Sequence, residues 1–468
     1  MPIQGQNPTL AQQRTVRRKA AGRPITIAQN EPEWMKWLLT AFLFTLFIPK
    51  SVALEIGSIS LTPALASAIV LFPVLLSGNR IKFAWPDVVV ILFYLSALYS
   101  AMRSVPTMLD GVEAYGRGVL VGAVPYLVGR YIGSRPQVFN VFMRRIMTVM
   151  AFLVVFLMLE SFFRFNIHSV IWSEPYNPHH EMRMGLTRAY GWTSHSIMLG
   201  VSYAVFVPVM LVAAIERITK LGRLRWLKLG LLLLGVFFSL STGAWLPAAI
   251  AVALVIWDYF KALKPGSRWL LVSMGGGSMY LILEVLSGRP LLRILMMELH
   301  LSSPMAWYYR WRLYERVYSV MPGFEWFGHG LNTPPAFRNT VQWSIDNNFL
   351  VILMQNGRVG LTLWIGIAVA VLVYGWKSIW NVSDRPYVRV ARALMLAIVC
   401  VGLTQLSVAL FSTALMLYWM FLGAGVGMAQ GLSAQQNNRS RSKPAKKRPS
   451  PARRPKPVPE AEPVIRPA

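Results

Sequence analysis

The stretch from Trp307 to Leu361, WYYRWRLYERVYSVMPGFEWFGHGLNTPPAFRNTVQWSIDNNFLVILMQNGRVGL, places arginines, a histidine and a carboxylate within one short reach of chain. Between Trp307 and Val320 apolar and aromatic residues recur at helical spacing, which predicts an amphipathic helix presenting Arg310, Arg312 and Arg316. The segment GFEWFGHG then breaks the helix, and Gly328 and Gly330 allow close backbone approach. Asp346 and Asn347 precede a new apolar run, and Asp346 is expected at or near the N-cap of its helix. Guanidinium groups suit phosphate and diphosphate better than ammonium groups do, because the planar fork binds two oxygens at once. The blander reading of Arg310 is a contact with lipid headgroups or its own loop. For Asp346 it is a plain cap, and for His195 and His329 it is structural hydrogen bonding.

These residues must be positioned by apolar helices. Hydrophobic residues make up 55% of the 468 positions and charged residues only 14%. That is too little charge to cover a soluble domain of this length. Apolar runs long enough to cross a hydrocarbon core recur from Trp34 to about Gly431. They lie near 34–49, 58–77, 84–102, 116–134, 140–163, 194–214, 226–241, 244–260, 268–287, 347–376, 391–408 and 410–430. The expected fold is therefore all-α and polytopic, with about twelve transmembrane helices. A basic segment, 1–32, precedes the membrane domain 33–431, and a Pro/Lys/Arg-rich tail, 432–468, follows it; both lack the apolar content to build a core. The amino terminus runs into the first apolar stretch with no small-residue cleavage site and reads as a signal anchor.

Charge orients the runs. With a cytoplasmic amino terminus, about 34 Lys and Arg fall inside and about 12 outside. Both termini are then expected in the cytoplasm, and two long loops, about 164–193 and 288–346, on the outer side. All six histidines (His168, His179, His180, His195, His300 and His329) fall in these loops or at their edges, and Lys50 is the only lysine outside. The run His179, His180, Glu181 reads as a solvated loop rather than a metal site. A single cysteine, Cys400 in an apolar run, excludes a disulfide framework and a thiolate cluster. Arg358 falls within a predicted span and is expected to face the protein interior. Glu160 and Glu284, near span ends, are expected at the interface. The net charge of +28 owes much to the tail, whose expected partner is anionic lipid rather than nucleic acid.

Three patches together resemble the O-antigen ligase and polysaccharide polymerase family. Arg310 takes the family's arginine position, Gly328 and Gly330 its turn glycines, Asn347 and Leu350 the Asn and Leu of its HN-x-x-L, and Gly357, Gly360 and Leu361 its G-x-x-G-L. RAYGWTSHSIMLG, from Arg188 to Gly200, is similar to the family's R-x-x-G-x-x-x-H-P-x-x-L-G. SLSTGAWLPA, from Ser239 to Ala248, is similar to its S-R-G-A-W-L. The sequence departs from the pattern at Asp346, where ligases carry the histidine, at Glu325, where proline is usual, and at Thr242, where arginine is common.

The resemblance implies a metal-independent glycosyltransferase of the bacterial inner membrane, with no cofactor. Its substrate would be a polyprenyl-diphosphate-linked oligosaccharide, polymerised into exopolysaccharide on the periplasmic face, alongside other polysaccharide-assembly proteins. Asp346 in place of histidine is similar to the polymerase branch; ligation of glycan onto a lipid acceptor is the sibling activity, and a flippase of lipid-linked sugars the reading from a different class. The implied catalytic residues are Asp346 and Arg310. Arg188, Arg312, His195, His329, Asn347, Gly328 and Gly330 are implied to bind the diphosphate or sugar.

Overall fold

A computed structural model describes residues 32–49, 51–56, 59–77, 80–105, 107–173, 182–217, 224–260, 265–287, 326–330, 347–379 and 386–442, with Arg312, Leu313, Glu315, Val317, Ser319 and Ile345. In chain order the elements are α1 (Glu33–Thr45), β1 (Leu54–Ile56), β2 (Ile59–Leu61), α2 (Pro63–Leu76), α3 (Trp85–Ser104), α4 (Met108–Gly133), α5 (Pro136–Phe163), α6 (Ile167–Trp172), β3 (Met182–Arg183), β4 (Leu186–Thr187), α7 (Ser196–Ala204), α8 (Val207–Glu216), α9 (Arg225–Phe238), α10 (Thr242–Asp258), α11 (Pro265–Ser287), α12 (Asn348–Ile379), α13 (Pro386–Thr404) and α14 (Ser412–Ser442). The helices fall where the apolar runs fall. Six stretches are long and apolar enough to cross a membrane: α3, α5, α7 with α8, α12, α13 and Ser412–Ala434 of α14. Shorter apolar helices include α2 and α10. The chain is therefore built as a membrane protein.

Two antiparallel hairpins interrupt the helices, which the all-α expectation did not contain. β1 pairs with β2 in the register Leu54 to Leu61, and β3 pairs with β4 in the register Met182 to Thr187. The second hairpin turns through Met184 and Gly185, both at positive φ (54° and 77°), the geometry that matches strand twist in a two-residue turn.

α4 and α14 form the tightest pair in the bundle. A Cβ added at Gly129 would stand 1.9 Å from the Met420 carbonyl oxygen, and one at Gly423 would stand 1.9 Å from that of Tyr126. Gly133 and Gly427 make the same approach one turn further on. Glycine at this spacing lets two backbones touch, which matters where lipid removes the hydrophobic drive between helices. α12 packs on α3 and α14, α9 on α5 and α7, and α13 on α8 and α10.

One end of the bundle is tied by ion pairs. Arg130 (α4) meets Asp87 (α3) at 3.0 Å and also donates to the carbonyl of Lys82 and to Gln430. Arg389 (α13) meets Glu216 (α8) at 2.6 Å, and Arg392 reaches Asp258 (α10) at 3.4 Å. The candidate site lies at the other end.

Candidate functional site

The Arg188 loop is built from below by a carboxylate. Glu160, near the C-terminal end of α5, is only 1% exposed, so the interfacial position expected from sequence is corrected: the side chain turns inward. It accepts the backbone N–H groups of Tyr190 (3.1 Å) and Gly191 (3.0 Å) and the Asn166 side-chain amide (3.0 Å). Three donors give the buried carboxyl oxygens the partners that burial requires. Gly191 turns at φ 53°, where a Cβ would also press on Leu157. Asn166 in turn caps α6, accepting from His168 N (2.8 Å) and Ser169 N (3.1 Å).

The loop so fixed lays its residues along the C-terminal end of α9. Arg188, 2% exposed, donates from Nε to the Ser239 carbonyl at 3.3 Å. Ala189 N donates to the Phe238 carbonyl (3.0 Å), and Arg183 Nη1 to that of Leu240 (3.1 Å). Burial lowers the Arg188 guanidinium to about 10, which leaves it fully charged at neutral pH. His195 serves as the N-cap of α7: its Nδ1 accepts from Ile197 N at 3.2 Å, so that nitrogen is unprotonated and the ring neutral. Gly200 lets α7 close on this end, since a Cβ there would stand 2.4 Å from Ser239 Oγ and 2.5 Å from Ala244. The patches Arg188–Gly200 and Ser239–Ala248, distant in sequence, thus form one wall.

A kinked helix forms the other wall. Gly357 in α12 has φ 69° and ψ −167°, which interrupts the helix. A straight helix would pair the Met354 carbonyl with Arg358 N, and the Gln355 carbonyl with Val359 N. Instead the turn 326–330 takes those groups. His329 N donates to Met354 O (2.9 Å), Gly330 N to Gln355 O (2.8 Å), and Val359 N to Trp326 O (3.1 Å). Gly328 and Gly330 are required by contact: a Cβ on Gly328 would stand 2.4 Å from Met354 O, and one on Gly330, at φ 61°, 2.1 Å from Ser104 Oγ. Beyond the kink, Arg358 to Ile379 alone spans about 33 Å, a full membrane thickness. Arg358 therefore heads a span rather than sitting within one. It is exposed, correcting the expected inward orientation.

The cap of α12 is Asn347, whose Oδ1 accepts from Leu350 N (3.1 Å) and whose Nδ2 donates to the Leu406 carbonyl (2.9 Å). Asn348 N donates to the Gln405 carbonyl (3.0 Å), and its side chain bonds Gln405 Oε1 (2.7 Å) and Leu410 N (3.0 Å). Gln405 also accepts from Trp364 Nε1 at 2.8 Å. The loop after α13 thus anchors α12. It reaches the first wall as well, because Val408 stands against Gly243 at the start of α10, which itself faces Ile197 of α7.

The structure brings Arg188, His195, Asn347, Gly328, Gly330 and His329 to one end of the bundle, the last three on the turn and Asn347 on the loop that joins the walls. Arg312 is exposed on helical backbone whose Leu313 and Val317 are buried, as an amphipathic helix requires. Arg310, Arg316 and Asp346 lie outside the described residues, as do His179, His180 and Glu181. Among the described residues no three His, Cys, Asp or Glu side chains gather as for a metal ion. Sequence reasoning missed Glu160, Asn348 and Gln405. The signal was present in each case: a polar side chain inside or beside an apolar run must find a partner within the protein. No protein-family model matches the sequence, and no curated protein matches it.

Proposed function

We propose that this protein is a multi-pass glycosyltransferase of the bacterial inner membrane that polymerises polyprenyl-diphosphate-linked oligosaccharide units on the periplasmic face. In this reading the bundle crosses the membrane about twelve times, both termini are cytoplasmic, and the end carrying Arg188 faces the periplasm. The observation that carries the reading is the buried, charged Arg188 clamped to the Ser239 carbonyl, at the same end of the bundle as Asn347 and the glycine turn. These are the residues by which the sequence resembles the O-antigen ligase and polysaccharide polymerase family.

The chemistry asks for two groups. As the acceptor oxygen bonds to the anomeric carbon, the bond from that carbon to the diphosphate oxygen breaks, and the electron pair leaves with the diphosphate. Arg188 and Arg310 stabilise the growing negative charge; preorganised cations away from bulk water contribute several kcal/mol. The acceptor hydroxyl loses its proton to Asp346, whose carboxylate replaces the ligase histidine.

Purified protein supplied with radiolabelled lipid-linked repeat unit decides the class. Chain elongation in detergent is expected, and Arg188→Ala, Arg310→Ala and Asp346→Ala should each abolish it without changing the protein level in the membrane. Transfer of a single unit to a lipid acceptor would instead identify a ligase. Movement across a vesicle with no new bond would identify a transporter. Full-length polymer from both the Arg310 and Asp346 variants would remove the site assignment.

A further inference from the structure

A groove of about 500 Å³ runs between α2, α3 and α4. Its walls are apolar, with Phe72 and Leu76 from α2, Ile91 and Leu95 from α3, and Val119 and Leu127 from α4. Leu76, Phe83, Ile91 and Leu95 are exposed, so it opens sideways from the bundle. Tyr94 and Tyr115 wall it off from the bundle interior, the Tyr115 hydroxyl donating to the Tyr94 carbonyl. Along α3 it extends from Asp87 to Leu98, about 16 Å, which is close to half of a hydrocarbon core of roughly 30 Å. The volume is that of a small-molecule site, and the depth is that of one leaflet.

Cations gather where the groove meets the ion-paired end of the bundle. Arg80 and Lys82 flank Ile81, which lines the groove, and Lys82 is exposed. Arg135, the residue before α5, donates to the Arg80 carbonyl at 3.0 Å and adds a third positive charge. The carboxylates beside them are already engaged. Asp87 is held by Arg130 at 3.0 Å and by the Tyr126 hydroxyl at 2.6 Å, and Glu33 by Lys36 at 2.5 Å. Among the described residues neither Arg80 nor Lys82 pairs with a carboxylate. The Arg80 guanidinium lies 5.1 Å over the Trp34 ring, and Trp34 and Trp85 are both exposed. Exposed tryptophans at a helix end mark the headgroup level of a bilayer.

We infer that the groove binds one acyl chain of an anionic phospholipid, with the phosphate resting on Lys82 and Arg80, in the leaflet at the Arg130 end of the bundle. That leaflet is the cytoplasmic one in the orientation proposed above, opposite the end that carries Arg188. The groove by itself cannot select a headgroup, because every acyl chain offers the same hydrocarbon to its walls. Selection comes from the charge. A phosphate accepts charge-assisted hydrogen bonds from a guanidinium and an ammonium together. Each basic residue at such a surface favours a net anionic lipid by about fivefold. A zwitterionic headgroup brings its own ammonium to the same cluster and loses most of that advantage.

The test uses the full chain in phosphatidylcholine nanodiscs with three trace probes that carry a diazirine in the hydrocarbon: phosphatidylglycerol, phosphatidylcholine and polyprenyl phosphate. Phosphatidylglycerol should label α2, α3 and α4 at the groove at least about fivefold more strongly than phosphatidylcholine. Lys82→Gln, at an exposed side chain whose loss leaves the packing intact, should lower the phosphatidylglycerol yield about fivefold and leave phosphatidylcholine unchanged. Ala123→Trp and Val119→Phe, which fill the groove from α4, should remove labelling by both phospholipids. Equal labelling by the two phospholipids, labelling centred on other helices, an unchanged yield in Lys82→Gln, or undiminished labelling in both groove variants would each overturn the site. Stronger labelling by polyprenyl phosphate would give the groove to that lipid and overturn the assignment as well. None of these readouts depends on elongation, so loss of the phospholipid site would leave the polymerase reading standing.

Discussion

Replacing Gly357 by alanine should detach the glycine turn from the helix it rests on. The position combines φ 69° with ψ −167°, a region essentially reserved to glycine, where a side chain costs about 1–3 kcal/mol. A Cβ would also stand 2.5 Å from Trp326 O and 2.7 Å from Gly328 N, inside van der Waals contact. Alanine favours a continuous helix, and straightening would recapture the carbonyls of Met354 and Gln355 and the N–H of Val359. The three hydrogen bonds to the turn would then be lost, at about 1 kcal/mol each. A combined local loss of about 3–5 kcal/mol raises the opening equilibrium by two or more powers of ten. Hydrogen exchange of the purified protein reads this directly: the amides of His329 and Gly330 should exchange at least about a hundredfold faster, while those at the α4–α14 contact keep their wild-type rates. Wild-type protection at His329 and Gly330 in the variant would refute the claim that the kink holds the turn.

Glu160→Gln should destabilise the fold by about 2–4 kcal/mol, because the amide nitrogen turns a donor toward the N–H of Gly191 or Tyr190; a melting temperature within a degree of wild type would contradict this. His168 is buried edge-on to Trp192, and burial lowers it to about 4, so it folds uncharged. The unfolded chain binds a proton below about 6.5, so stability should fall as pH drops from about 6.5 toward 4, by up to a few kcal/mol. That loss should shrink in His168→Phe, and identical pH–stability curves for the two proteins would exclude the histidine as its source. At the opposite end, Asp87→Asn leaves the Arg130 cation buried without its counter-charge and should cost about 3–5 kcal/mol. Adding Arg130→Gln should recover a large part of this, and strictly additive losses in the double variant would argue against a direct pairing.

The helices were legible because long apolar runs have few other fates, and the runs from Trp34 onward coincide with helix, six of the described stretches being long and apolar enough to cross a membrane. The end of α14 was not: Ala434 to Ser442 continue the helix beyond the apolar run, since alanine, glutamine and arginine hold helical backbone in water as well as in lipid. Of the site, the glycines were readable as points of close approach, but not what they approach. Nothing in GFEWFGHG announces that its N–H groups replace the rungs of a helix twenty-odd residues on. Glu160 and Arg358 were misplaced for opposite reasons. Glu160 sits at a helix end, where exposure is the default, yet Asn166 just beyond that end and two backbone N–H groups of the distant Arg188 loop draw it inward. Arg358 sits in the middle of an apolar run, yet the neighbouring glycine divides that run and makes the arginine a terminus.

The backbone-to-backbone contact of α4 and α14 has a mechanical result. With backbone seated on backbone at Gly129, Gly133, Gly423 and Gly427, any larger side chain at these positions would force the two helices apart. α4 also carries the buried Arg130, which ties α3 through Asp87 and α14 through Gln430, so parting α4 from α14 would loosen the ion-paired end of the bundle as well.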